Sequence, residues 1–110
     1  MKSYGPVLRI FEVQTKPGCT DKLLEKFATT SANVVQGEPG NRGYFFGRCV
    51  QGGEGIVVFT SVWESLDAVK SRFGADWQES YLPVGYEDLI EKCSLRHFDV
   101  GSGWHVHDFT

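Results

Sequence analysis

Between Val7 and Val100 the chain alternates between two hydrophobic periods. "VLRIFEVQT", Val7 to Thr15, is β-branched and aromatic and predicts a strand, which "KPG" breaks. Thr20 then stands where a helix cap belongs, with Asp21 well placed against the helix dipole. Leu23, Leu24, Phe27, Ser31, Val34 and Val35 share one face at helical spacing. "QGEPGNRG" is a turn-rich loop, and "YFFGRCV", Tyr44 to Val50, predicts a second strand. The flexible "QGGEG" predicts a hairpin to a third strand, Ile56 to Trp63.

Ser65 caps the next predicted helix, with Asp67 in its first turn. Leu66, Val69, Phe73, Trp77 and Tyr81 form one stripe. Gly74 predicts a kink in that helix, and Pro83 ends it. "GYEDLIEK" predicts a short helical turn, and "CSLRHFDV", Cys93 to Val100, the last strand. The order β-α-β-β-α-β is the ferredoxin-like α+β pattern, a four-stranded antiparallel sheet with both helices on one face.

Strand parity adds a constraint. On the third strand Val57, Phe59 and Trp63 point one way and Ile56, Val58 and Val62 the other, so both faces are apolar. On the second, Phe45 and Cys49 oppose Tyr44, Phe46 and Val50. Two helices cover one face only. The exposed hydrocarbon on the other predicts a second copy packed sheet to sheet, a homodimer.

Composition narrows the classes. The 110 residues predict one domain, residues 1–100, followed by a C-terminal arm, residues 101–110, that contacts the partner subunit. Net charge is −3 and no basic run exceeds a pair, which excludes nucleic acid as an expected partner. No apolar stretch approaches the ~20 residues of a membrane span. No block at the N-terminus reads as an export signal. Cys19, Cys49 and Cys93 are odd in number and widely spaced, which argues against a disulfide framework and a zinc cluster and for a reducing cytoplasm. Their expected role is that of small buried hydrophobes.

Several pieces resemble a known family: "PG" after the first strand, then "DKLLEKF", "GNRGYFFGR" and, most specifically, "VVFTSVWESLDAV". Together they resemble the antibiotic biosynthesis monooxygenase (ABM) domain of the dimeric α/β-barrel superfamily, over about Val7 to Val100. That superfamily includes cofactor-free oxygenases of aromatic polyketide-like substrates, haem-degrading oxygenases, isomerases and members without known activity. Its haem-degrading branch uses an asparagine on the first strand, and a tryptophan and a histidine on the second helix. Alignment on the glycine of "PG" and on Phe27 places Phe11 at the asparagine. Alignment on "WES" places Arg72 at the tryptophan and Leu82 at the histidine. Trp77 is out of register, so haem ligation lacks its anchor.

The resemblance instead implies an oxidoreductase of the cofactor-independent monooxygenase kind, or a related small-molecule enzyme, acting on a mostly apolar compound, aromatic ones included. The alternative is a non-enzymatic member that binds a ligand or only dimerises. The family's cavity lies between helices and sheet. By alignment Phe11 faces it; period two adds Arg9 and Val13, and Phe73, Trp77 and Tyr81 form the other wall. Arg9, Phe11, Phe73 and Trp77 are therefore the expected substrate-binding residues. His97, with Leu95 and Asp99 on its face, is the expected proton acceptor, and Tyr81 the second catalytic candidate. No cofactor and no metal are expected.

Each candidate has a plainer role. His97 also suits a dimer interface or a wet strand edge, and the aromatic stripe a packed core. Trp63 reads as a packing anchor, and Tyr44 with Arg48 as an interface pair. A buried Arg9 needs a partner, and three stay open: Glu12 of a second copy, a helix carboxylate, or an anionic substrate. His105 and His107 share a face on an extended arm, but two ligands are too few for a zinc site, and Trp104 reads as the arm's anchor.

Overall fold

Four antiparallel strands form one sheet in the order β2-β3-β1-β4, the ferredoxin-like arrangement. The computed structural model describes residues 5–52 and 55–105. Its elements are β1 (Val7–Thr15), α1 (Thr20–Lys26), a π-helical segment (Phe27–Ser31), α2 (Ala32–Val35), β2 (Asn41–Arg48), β3 (Ile56–Trp63), α3 (Leu66–Phe73), a 3₁₀ turn (Gly74–Asp76), a second 3₁₀ turn (Glu87–Leu89) and β4 (Ile90–Asp99).

The strand parities sort as their hydrophobic pattern requires. Val7, Phe11, Val13, Val57, Phe59 and Trp63 are buried under the helices against Leu23, Phe27, Val35 and Val69. Burying each large apolar side chain contributes roughly 1.5–3 kcal/mol. The opposite parity, with Leu8, Ile10 and Val58 half-buried and Phe45 and Phe98 exposed, forms an apolar outer face.

Several boundaries differ from expectation. α3 stops at Phe73, because Gly74 adopts φ 73°, ψ −154°, a conformation no right-handed helix continues. The expected helical stripe to Tyr81 is therefore cut. Trp77 and Tyr81 sit on the 3₁₀ turn's exit and on irregular chain. Ser65 caps α3 as expected, its Oγ accepting from the Ala68 N–H at 3.1 Å. Thr20 caps nothing. Cys19 holds the N-cap position of α1 without a side-chain bond, while Thr20 Oγ1 pairs with Thr15 Oγ1 at 2.9 Å. β2 and β4 both begin three residues earlier than predicted and end before Val50 and Val100. The "GYEDLIEK" turn is the 3₁₀ turn Glu87–Leu89, and Ile90 already belongs to the sheet. The cysteines are not buried: Cys49 and Cys93 are exposed and Cys19 is half-buried, all three free.

The first helix carries an unpredicted feature. The π segment inserts an extra residue into the turn Phe27–Ser31 and sets Ser31 over the sheet. There Ser31 Oγ lies 2.6 Å from the hydroxyl of Tyr86, which donates to the Lys26 carbonyl at 3.1 Å.

Candidate functional site

The strand registers build one polar rung across the sheet beneath the helices. Tyr44 pairs with Ser61, Ser61 with Arg9, and Arg9 with His97, so all four side chains share a face. The next rung, Phe46–Phe59–Phe11–Leu95, is apolar. A strip of hydrogen-bonding groups thus lies against aromatic rings: Tyr44 stacks on Phe59 at 5.6 Å, and Phe11 meets Phe27 edge-on.

Between this strip and the helices is a cavity of about 40 Å³, lined by Arg9, Phe11, Ser31, Phe59, Ser61, Phe73 and Tyr81, with valine, proline and leucine side chains completing it. Arg9, Phe11, Phe73 and Tyr81 are thus brought together as expected. Trp77 and His97 lie behind Arg9 rather than on the lining, and neither does Val13 line the cavity.

Arg9 is the centre of the arrangement, 5 % exposed. Its Nη1 donates to the Trp77 carbonyl at 2.6 Å and to His97 Nε2 at 3.0 Å, and its Nη2 donates to the Glu79 carbonyl at 3.4 Å. The guanidinium lies 3.7 Å from the Phe73 ring centre. No carboxylate reaches it among the described residues. Of the three expected partners, a helix carboxylate of the described residues is therefore excluded. Burial, then the nearby Arg72 cation, holds its pKa down at about 10, still protonated at neutral pH.

Because a guanidinium only donates, His97 Nε2 must accept, and the imidazole proton sits on Nδ1. Burial, reinforced by the Arg9 charge, lowers the His97 pKa from 6.5 to about 4. The ring is neutral, with Trp77 edge-on to it at 5.0 Å. Tyr81 is half exposed at the rim, its ring tilted against Phe73 at 6.2 Å.

Sequence reasoning missed Ser61 and Tyr86. Ser61 is 2 % exposed and accepts from Trp63 Nε1 at 2.8 Å. Its signal was available: it is the one polar residue on the buried parity of β3. Tyr86 lies in a loop-like segment, and nothing in periodicity marks it as buried. Trp63 is the packing anchor expected, fully buried. Within the chain Arg48 bonds Asp21 at 3.1 Å, while Tyr44 stacks on Phe59. Of the arm's histidines, His107 lies outside the described residues. Among the described residues no group of three metal-ligating side chains occurs, and no helix is long and apolar enough to cross a membrane.

The residues do not fit a haem. A haem iron needs a ligand directed at its face. The histidine nearest this cavity turns Nε2 to Arg9.

No curated protein matches the chain. Solved structures do. A Shewanella oneidensis protein is 16 % identical, covering 88 % of this chain and 93 % of its own, with a TM-score of 0.68. A heme-degrading protein of Mycobacterium tuberculosis is 24 % identical over 93 % of this chain and 99 % of its own, TM-score 0.66. A Caulobacter crescentus protein that carries the ABM family's name is 17 % identical over 87 % and 90 %, TM-score 0.62. At such identities the likeness carries the fold alone. A family model described as antibiotic biosynthesis monooxygenase matches residues 6–79, well over half the chain. The chain belongs to the antibiotic biosynthesis monooxygenase family.

Proposed function

We propose that the protein is a cofactor-independent monooxygenase acting on a small, mostly apolar, aromatic compound held between the helices and the sheet. The observation that carries this reading is Arg9: a buried cation that no carboxylate of the described residues reaches, at the wall of an aromatic cavity. Such a charge favours a ligand that is, or becomes, an anion.

The chemistry needs no further reactant than oxygen. A ring CH₂ activated by a neighbouring phenol or ketone loses a proton, and the resulting carbanion adds to O₂ to form a C–O bond. The O–O bond then breaks as the carbon loses its second hydrogen. The carbon leaves as a carbonyl and the other oxygen as water, so the substrate supplies all four electrons. Arg9 holds the oxyanion, and Phe11, Phe73 and the backbone around Trp77 exclude water. His97 Nε2 is a lone pair that becomes available as Arg9 turns to the anion. Tyr81 stands between cavity and solvent to carry the proton out.

Oxygen uptake with anthrone- or quinol-type substrates tests this. The rate should fall at least about tenfold in His97→Ala and in Tyr81→Phe. Uptake unchanged in both variants removes them from the site. A haem titration should leave the Soret band unshifted.

A second reading has one observation in its favour. A volume of about 40 Å³ holds a water or two rather than an aromatic ring. A member that binds a smaller ligand, or only dimerises, fits that volume without rearrangement. Catalysis requires the chain after Gly74 to move outward first. We further propose a cytoplasmic homodimer in which a second copy covers the outer face around Phe45, Val58 and Phe98, with residues 101–110 as an arm along the partner.

A further inference from the structure

The chain from Ala75 to Val84 is tied to the sheet by very little. None of its residues is buried, and beyond one 3₁₀ turn it has no regular structure. Its backbone hydrogen bonds close on the segment and its two ends: Trp77 N–H donates to the Gly74 carbonyl, Glu79 N–H to that of Asp76, and Tyr86 N–H to that of Pro83. Among the described residues, one side chain joins this backbone to the sheet. Arg9 of β1 donates to the Trp77 carbonyl at 2.6 Å and to the Glu79 carbonyl at 3.4 Å. Hydrogen bonds from a cation are among the stronger ones. The remaining ties are looser: Cys93 Sγ approaches Ser80 Oγ at 3.8 Å, and the half-buried Trp77 and Leu82 rest on the margin of the core. Both ends are glycines with positive φ, 73° at Gly74 and 94° at Gly85. A Cβ at Gly74 would meet nothing within 4 Å, and one at Gly85 only the flexible end of Lys26. Tyr81 and Pro83 of the segment line the cavity, and so does Arg9 below them.

We propose that residues 75–84 form a lid over the cavity, hinged at Gly74 and Gly85, with Arg9 as its latch. Glycine rotates with the least hindrance, and the ends of a moving segment must absorb its change in φ and ψ. The two carbonyls are within reach of the guanidinium only while the lid is down. Raising it enlarges the cavity and frees the donors that held it, so access to the cavity and release of Arg9 are one event. Arg9 is a positioning residue in this role. It acts through backbone carbonyls, so the side chains at the two latched positions do not carry the tie. The lid deepens the reading above, from which it takes only that the cavity admits a ligand.

Thiol labelling with iodoacetamide, read by peptide mass spectrometry, measures the opening without any ligand. Val35→Cys puts a thiol on the helix wall of the cavity, beneath the lid. Val57→Cys puts one on the same buried face of the sheet but off the cavity. With Arg9 in place both should label far more slowly than free glutathione, since reaction waits for an opening. Arg9→Met, and to a smaller extent Arg9→Lys, should speed the Val35→Cys thiol about tenfold, the weight of one hydrogen bond from a charged donor, and leave the Val57→Cys thiol unchanged. Glu79→Gln should alter neither rate, because Arg9 holds the Glu79 carbonyl and not its carboxylate. A Val35→Cys thiol that Arg9→Met does not speed, or that already labels as fast as glutathione, overturns the latch. Equal acceleration of both thiols overturns it too, because Arg9 would then hold the whole fold. If the thiols respond as expected but no anthrone- or quinol-type substrate consumes oxygen, the oxygenase reading fails while the lid stands.

Discussion

Arg9 Nη1 lies 3.0 Å from His97 Nε2, so a buried cation and an imidazole share one proton-donor contact that only a neutral histidine can make. The two residues are directly opposed on β1 and β4. Burial, then the Arg9 charge, disfavours protonation of His97.

That contact predicts a pH dependence of folding. The His97 pKa falls from 6.5 unfolded to about 4 folded, so between those values the unfolded chain binds more protons. The contribution is fully present above pH 6.5 and is lost as pH falls toward 4. Its slope cannot exceed about 1.4 kcal/mol per pH unit. Chemical denaturation of native protein and His97→Gln across this range checks it. The difference between their stability curves should tilt in that window and be flat above it; equal tilts would refute the pairing.

Replacing Arg9 tests what the charge is for. Arg9→Met removes a desolvated cation and fills its volume, while the Trp77 and Glu79 carbonyls lose a donor. These effects oppose each other, so folding stability should change by no more than about 1–2 kcal/mol. Oxygen uptake should be lost. Urea denaturation beside an uptake assay distinguishes this from a structural role, in which stability and activity would fall together.

Gly74 decides where the cavity's rim lies. A Cβ there meets no atom within 4 Å, so Gly74→Ala is penalised by its positive φ alone. The expected cost is about 1–3 kcal/mol of stability. The chain bearing Trp77 and Tyr81 should shift, raising KM more than it changes kcat. Thermal unfolding with steady-state kinetics measures both. An unchanged Tm would show that this turn is not held as described.

The outer face predicts the oligomer. Phe45 is 57 % exposed and Phe98 44 %, flanking half-buried Leu8, Ile10 and Val58. Val58→Lys should convert a dimer into the 12.3 kDa monomer. Sedimentation at micromolar concentration reads the result, and a native protein already monomeric would sink the homodimer.

The element order, the sheet and its two parities were legible in the residues, because period two and period 3.6 are local signals that burial enforces. Val7 to Val13 and Val57 to Trp63 face where their alternation says. The family resemblance put Phe11 on the cavity side, and period two carried Arg9 there with it. Helix ends were less legible. Phe73, Trp77 and Tyr81 keep helical spacing across Gly74, yet that glycine's backbone leaves the helix, and spacing does not encode φ. The burial of Tyr86 and the π turn at Phe27–Ser31 depend on packing between distant segments.

By itself, then, the sequence determined the ferredoxin-like order of elements, which follows from hydrophobic periodicity, while its resemblance to the monooxygenase family implied which residues meet beneath the helices. Only the tertiary structure decided that no carboxylate of the described residues reaches Arg9, that His97 is its neutral acceptor, and that Ser31 and Ser61 both line the cavity. Those are contacts between residues far apart in the chain, set by strand register and helix seating, and no local pattern carries them.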